Sequence, residues 1–423
     1  MIFVSTLLLL LVTSSDAFMP PMTNVRSASR QGKTAIRSQS TSVEFNIDAE
    51  GDTPTFNLKI ALPESTYSQA MTSCDLEPIA SKLREFYDDR FQDPRQPDST
   101  GKRFCWDPWY VNVGDGLQNQ DQAADEDSDD IKDDETQLIL DGEIDAIDQQ
   151  TQYSLKRIQS NNFFSEDDFG DLVEDLTKLG RSIGLTAITP PWISLYTEGD
   201  MQNFHTDAPQ GPCAFVLSLC NEGDFNGGET MMLKPQILEY WKGFDASKGL
   251  EMGGIMRYVP PTPLGKCLVF DPRVPHGVNK VTGTNDPRKG RIVIHGWFNQ
   301  PEVCWFGAWN EEDVERMNAM LDEALQPLVE ALGSGEIGRV AGFLSCRVEI
   351  NADGDVDEVY AVCDTLQADW DDFRGIIGYD ESERPVAEDA VSDVKLTVYE
   401  ALKNLYFEEG EEGRSVVVPF AFE

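Results

Sequence analysis

Histidine is scarce in this chain: its 423 residues include three, His205, His276 and His295. Any metal held by imidazole must draw on these. The eight cysteines are scattered and none forms a CxxC pair. That excludes zinc-knuckle spacing and a disulfide scaffold, and points to small buried side chains for most of them. Basic residues are also few, 34 against 75 acids, for a net charge of −41. Nucleic acid and anionic membranes repel such a chain, so neither is an expected partner. An anionic ligand would need a local cation, which makes each pocket Arg or Lys informative. The HExxH helix of zinc hydrolases is missing. Beyond the first dozen residues no run is long and apolar enough to span a bilayer, so no stable membrane anchor is expected after processing.

That first apolar run, residues 2–12, suits a signal h-region, with a cut between Ala17 and Phe18. Residues 18–43 carry Arg26, Arg30, Lys33 and Arg37, many Ser and Thr, and no acid, as in a transit peptide. A signal followed by a transit segment, with Phe at the junction, resembles the bipartite presequences of algae with complex plastids. The resemblance implies a plastid location; a plain secretory leader is the alternative.

The globular part divides by pattern. Residues 44–310 form one expected domain and 311–423 a small α+β domain of unknown role. Helices are expected over 75–90 and 167–184, the latter with Phe169, Leu172, Leu176, Leu179 and Ile183 at helical spacing. Residues 119–149 hold thirteen acids against one Lys and read as a solvated insertion, without the Gly of a calcium loop. Short β-rich runs broken by Gly and Pro then continue to about residue 300, which suggests a sandwich or barrel. In the last part, helices over 311–332 and 386–405 flank a hairpin at Asn351-Ala-Asp-Gly, and a strand closes the chain. That order, with Val-Pro-Phe-Ala-Phe near the end, is similar over a short span to the C-terminal domains of TonB-like proteins; no chemistry is legible there. Trp305, Phe306 and Trp309 are expected to pack a domain junction.

The chemistry lies between. Leu195 to Asp207 reads Leu-Tyr-Thr-Glu-Gly-Asp-Met-Gln-Asn-Phe-His-Thr-Asp. Downstream come the apolar run 213–220, Gly227-Gly-Glu-Thr230, an apolar run into Pro275-His276-Gly-Val, and Arg291-Ile-Val-Ile-His-Gly-Trp-Phe298. His205 and Asp207, two apart on a strand edge, can face one site. With His276 from another strand they make two imidazoles and one carboxylate, a facial set suited to non-heme Fe(II), although zinc accepts the same donors. Alternation places Arg291, Val293, His295 and Trp297 on one strand face. A buried Arg there could grip a carboxylate with two prongs; an exposed strand-end Arg is the bland alternative. Arg273, Arg288 and Lys289 are rivals, the last two in a turn signal.

Residues 190–300 resemble the 2-oxoglutarate/Fe(II) dioxygenase superfamily, and within it the prolyl 4-hydroxylase-like members. The resemblance is carried by Tyr196-x-x-Gly-Asp200, His205-Thr-Asp207, Gly-Gly-Glu-Thr, Pro-His-Gly-Val and Arg291 to Phe298. It implies a double-stranded β-helix (jelly-roll) core with flanking helices. It implies iron on His205, Asp207 and His276, 2-oxoglutarate as cosubstrate anchored by Arg291, and ascorbate as an accessory reductant. The fifteen residues from His276 to Arg291 exceed the expected spacing and leave Arg288 as an alternative anchor. Residues 235–264 read as an insertion that reshapes the substrate mouth. Related halogenases lack the acid at Asp207; its presence implies hydroxylation, with release of succinate and CO2. Tyr196 and Thr230 are candidate partners of a ligand carboxylate or of Asp207, or plain core residues. His295 is expected beside the site or in the core. The likeness suggests a peptidyl proline as substrate, and a small metabolite or fatty acid is also compatible. A non-catalytic binding barrel and a cupin-like metal enzyme without oxoglutarate remain the competing readings.

Overall fold

The computed structural model describes residues 60–61, 70–90, 110–113, 153–207, 210–233, 256–309, 311–334, 340–368 and 384–422. The signal and transit segments and the acidic insertion 119–149 lie outside the described residues. In chain order the first elements are β1 (Ile60–Ala61), β2 (Ala70–Ser73), α1 (Glu77–Arg90), β3 (Tyr110–Val113), β4 (Tyr153–Gln159), α2 (Ser160–Phe163) and α3 (Glu166–Arg181). Then come β5 (Leu185–Ile188), β6 (Trp192–Tyr196), β7 (Met201–His205), β8 (Cys213–Ser218), β9 (Thr230–Leu233), β10 (Met256–Val259), β11 (Cys267–Phe270), β12 (His276–Val278) and β13 (Arg291–Pro301). The last are β14 (Cys304–Phe306), α4 (Glu311–Ser334), β15 (Val340–Ile350), β16 (Val356–Asp364), β17 (Gln367–Ala368), α5 (Arg384–Lys403) and β18 (Arg414–Phe422).

Two compact units result. The larger falls within Tyr67–Cys304; the smaller joins Trp305–Glu423 to Asn57–Thr66. The stretch 44–310 therefore does not stay together. Its strand β1 pairs antiparallel with β16, and β14 lies beside β18, so both belong to the C-terminal sheet.

Among the described residues the larger unit is a twelve-stranded antiparallel sheet in the order β10-β9-β12-β7-β4-β6-β13-β8-β11-β2, with β3 added on β4 and β5 on β13. The sheet curls on itself in the jelly-roll manner. Met232 and Val259, from β9 and β10 at one end, pack in one core with Ala214, Leu268 and Phe270 from β8 and β11 near the other. That curl covers the inner apolar faces that a flat sheet would leave in water. Helix α3 begins at Ser165, whose hydroxyl accepts from the Asp168 amide, and buries Leu172, Leu176 and Leu179 at helical spacing. Strand β10 falls inside the expected insertion 235–264 and forms the end of the sheet path; residues 234–255 lie outside the described residues.

Among the described residues the smaller unit has a six-stranded sheet, β1-β16-β15-β18-β14 with β17 on β15. The β15–β16 hairpin turns at Asn351, as its Asn-Ala-Asp-Gly predicts. Lys395 of α5 and Asp364 of β16 form a fully buried ion pair there. Trp305, Trp309 and Phe407 stack edge to face, with the Arg414 guanidinium 4.6 Å from the Trp309 ring centre, all within this unit. Of the described cysteines Cys74 is exposed and the other six are buried, in keeping with the expectation that most are core residues. Among the described residues no helix is long and apolar enough to cross a membrane.

Candidate active site

Two adjacent strands, β7 and β12, carry the triad. His205 ends β7 and Asp207 follows it; His276 opens β12 and pairs in register with His205. Such directly opposed residues share a face of the sheet. The Asp207 amide donates to the Pro272 carbonyl at 3.1 Å, which turns the chain so that its carboxylate meets both rings. One donor atom each of His205, Asp207 and His276 falls within 4.8 Å of the others. The His205 Nε2 is 3.6 Å from Asp207 Oδ1, and the His276 Nε2 is 3.7 Å from Oδ2.

The rings are oriented from behind. His205 Nδ1 lies 2.9 Å from the Asn203 carbonyl, and His276 Nδ1 lies 2.9 Å from the Val274 carbonyl. A carbonyl can only accept, so each Nδ1 carries the proton and each Nε2 turns a lone pair to the centre. Phe270 packs edge-on against His276, with ring centres 4.7 Å apart. Burial, and then the neighbouring His205, push the His276 pKa below that of free imidazole, which keeps the ring neutral and able to ligate. Asp207 is fixed by the Trp297 indole, which donates to its Oδ2 at 3.1 Å. Two imidazoles and a carboxylate, oriented before any metal arrives, fit a divalent ion of the Fe(II) type.

Arg291 is the second half of the site. It is only 2% exposed, the largest fully buried side chain among the described residues. Its Nε donates to the Gly228 carbonyl at 2.8 Å and its Nη2 to the Thr230 hydroxyl at 3.3 Å. The guanidinium lies 4.8 Å from the Tyr196 ring centre. Among the described residues no carboxylate pairs with it. Its neighbours are apolar: Tyr196 clusters with Leu155, Val278, Val281 and Phe225. The rival cations are placed elsewhere. Arg288 pairs with Asp286 and Arg273 with the buried Asp271, and both guanidinium side chains are exposed.

Tyr196 and Gln202 link the halves. Burial raises the Tyr196 pKa, so its hydroxyl stays protonated; it donates to Gln202 Oε1 at 3.2 Å, not to Asp207. The Gln202 Nε2 lies 3.1 Å from His205 Nε2. Gln202 was not singled out by the sequence, although its spacing of three before His205 was visible. Thr230, opposite Val278 on β12, reaches Arg291 as a hydroxyl acceptor. His295 is half-buried beside Ser194, with Nε2 2.8 Å from the hydroxyl, and takes no part in the triad.

The remaining motif residues shape the backbone. Asp200 accepts from the Thr197 amide at 2.8 Å and from the Ser154 hydroxyl at 2.6 Å, tying the turn after β6 to β4. Gly228 has φ of +73°, and a Cβ there would come within 3.1 Å of the Arg291 Cδ. A side chain at this position would therefore strain the backbone and push on the buried guanidinium. Gly277 lets β12 approach β7, since its Cβ would lie 2.6 Å from the Gln202 carbonyl.

No protein-family model matches the chain, and no curated protein matches it. Solved structures similar to it include a prolyl-4-hydroxylase of Pseudomonas putida, 19% identical, covering 39% of this chain and 83% of that one with a TM-score of 0.27. A 2OG-Fe(II) oxygenase-family oxidoreductase of Burkholderia pseudomallei is 14% identical, covering 35% of this chain and 68% of that one at 0.26. HygX of Streptomyces hygroscopicus, solved with nickel and 2-oxoglutarate bound, is 11% identical, covering 34% and 68% at 0.24. Likeness this slight says nothing of function, which is read below from the side chains.

Proposed function

We propose that this chain is an Fe(II)- and 2-oxoglutarate-dependent oxygenase that hydroxylates a C–H bond of its substrate. The observation that carries the reading is Arg291: a buried charge without a carboxylate partner among the described residues, on the same inner surface as a preoriented His-Asp-His triad. An unpaired buried guanidinium is costly, and an anion that enters with its own charge removes the cost. A dicarboxylate with an adjacent keto group satisfies both ends at once.

His205, Asp207 and His276 would hold the metal through Nε2, a carboxylate oxygen and Nε2. Arg291 and the Thr230 hydroxyl would bind the far carboxylate, with the Tyr196 ring as a wall. Apolar Val278, Val281 and Leu155 exclude water from that end and strengthen the charge pairing. Gln202 would turn its amide from His205 toward the bound cosubstrate. When bound, the iron supplies O2 activation coupled to oxidative decarboxylation of 2-oxoglutarate, giving succinate, CO2 and a hydroxylated product. A peptidyl proline is the first substrate to try, on the motif resemblance, and ascorbate the accessory reductant to include. The presequence pattern supports a plastid site of action.

The test is anaerobic titration of residues 44–423 with Fe(II) and 2-oxoglutarate. The weak visible band of an iron–α-keto acid chelate is expected in the wild type and lost in Arg291→Ala. An iron-loaded wild type without the band would sink the reading.

A further inference from the structure

The register of the sheet carries a second cation toward the triad. Arg257 of β10 is paired with Met232 of β9, Met232 with His276 of β12, and His276 with His205 of β7. Directly opposed residues of antiparallel strands point to one face, so Arg257 stands on the face of both imidazoles. Its neighbours on that face agree. Val259, two residues on, is buried in one cluster with Met232, and the residue opposite Val259 is Thr230, the acceptor of Arg291. Two strand spacings separate Arg257 from His276, roughly 10 Å between backbones. Since β10 ends the sheet path, Arg257 sits at the rim while Arg291 sits deep.

Its surroundings are those of a ligand group rather than a solvated surface charge. Arg257 is exposed to solvent, and partial burial of its guanidinium lowers its pKa. Lys266, just before β11, is close enough for Arg257 to lower its pKa in turn, and its Nζ donates only to the carbonyls of Pro260 and Thr262. In a chain of net charge −41, these two neighbouring cations have no carboxylate partner among the described residues. Other described arginines, such as Arg273, Arg288 and Arg347, each have one. Two like charges held together repel unless an anion joins them.

We infer that Arg257, seconded by Lys266, binds an anionic group of the substrate, and that the substrate therefore carries a carboxylate or phosphate about two strand spacings from the carbon that is hydroxylated. This rests on the oxygenase reading and adds the substrate class to it. Arg257 is a specificity residue in this account, since it lies too far from the triad to touch the reacting atoms.

The experiment uses the full globular chain with Mn(II) and one equivalent of 2-oxoglutarate. Inorganic phosphate and acetate are the probes, followed by paramagnetic relaxation of 31P and of the acetate 13C carboxyl. The expected result is saturable relaxation of one probe, weakened at least about tenfold in affinity by Arg257→Gln and partly kept in Arg257→Lys. The probe that responds distinguishes phosphate from carboxylate. Absence of saturable relaxation from both probes, or equal relaxation in Arg257→Gln, would overturn the inference while the Fe(II)–oxoglutarate band left the oxygenase standing. Loss of that band in the wild type would remove both.

Discussion

The Trp297 indole donates its Nε1–H to Asp207 Oδ2 at 3.1 Å, although the two residues lie 90 positions apart. The bond holds the carboxylate in the plane that lets it face both His205 and His276. Trp297→Phe keeps the ring and removes the donor. Metal affinity is expected to fall by about 10-fold or more, as for other outer partners of ligands. Competitive titration with a chromogenic chelator measures it; an unchanged affinity would show that Asp207 needs no help.

Arg291 and Thr230 separate charge from geometry. Arg291→Lys keeps a cation but loses the fork that reaches both the Gly228 carbonyl and the Thr230 hydroxyl. Its 2-oxoglutarate Kd is expected to rise by about 100-fold, and that of Thr230→Val by about 5-fold, in line with charged and neutral hydrogen bonds. Metal binding by both variants should match the wild type. Isothermal titration with each ligand in turn reads the split.

Two glycines predict opposite signs. Gly228→Ala places a methyl at a left-handed residue against the Arg291 Cδ, and should destabilise by about 1–3 kcal/mol while weakening 2-oxoglutarate. Gly170, exposed within α3 with nothing within 4 Å of its Cβ position, should gain about 0.5–1 kcal/mol on change to Ala. Denaturant unfolding of the two variants checks both.

His295 sets a pH dependence of stability. Burial pulls its pKa from 6.5 down to about 3. Below pH 6.5 the unfolded chain takes up a proton that the folded chain refuses. This contribution to stability is therefore complete above 6.5 and is lost, at about 1.4 kcal/mol per pH unit, as pH falls toward 3. His295→Gln should show a shallower acid limb than the wild type between pH 6 and 4. Parallel limbs would mean that the ring is reached by solvent.

In the smaller unit, Lys395 and Asp364 are both fully buried and paired. Burial raises the Asp364 pKa against the pull of Lys395. Lys395→Met alone should cost about 3–5 kcal/mol by leaving a buried acid unpaired, and Lys395→Met with Asp364→Leu should recover most of it. Equal losses in the single and double variants would show that the pair is not the source of the cost.

The sequence by itself made the triad candidates, the four long helices and several individual strands legible. Three histidines left little choice of ligand, period-3.6 apolar spacing marked α3, and alternation after Arg291 put Arg291 and Trp297 on one face. The Asn351 hairpin was legible because a turn needs only local chemistry. What it could not decide depends on residues far apart in the chain. Arg288 and Arg291 look alike three residues apart; only the curl of the sheet buries one beside Thr230 and leaves the other with Asp286. Gln202 and Arg257 acquire meaning from register, which is set by pairing between distant strands. The stretch 44–310 yields β1 and β14 to the other sheet for the same reason: two- and three-residue strands carry little local signal, and their partners β16 and β18 lie late in the chain. Local propensity chose the elements, and non-local pairing chose which side chains meet.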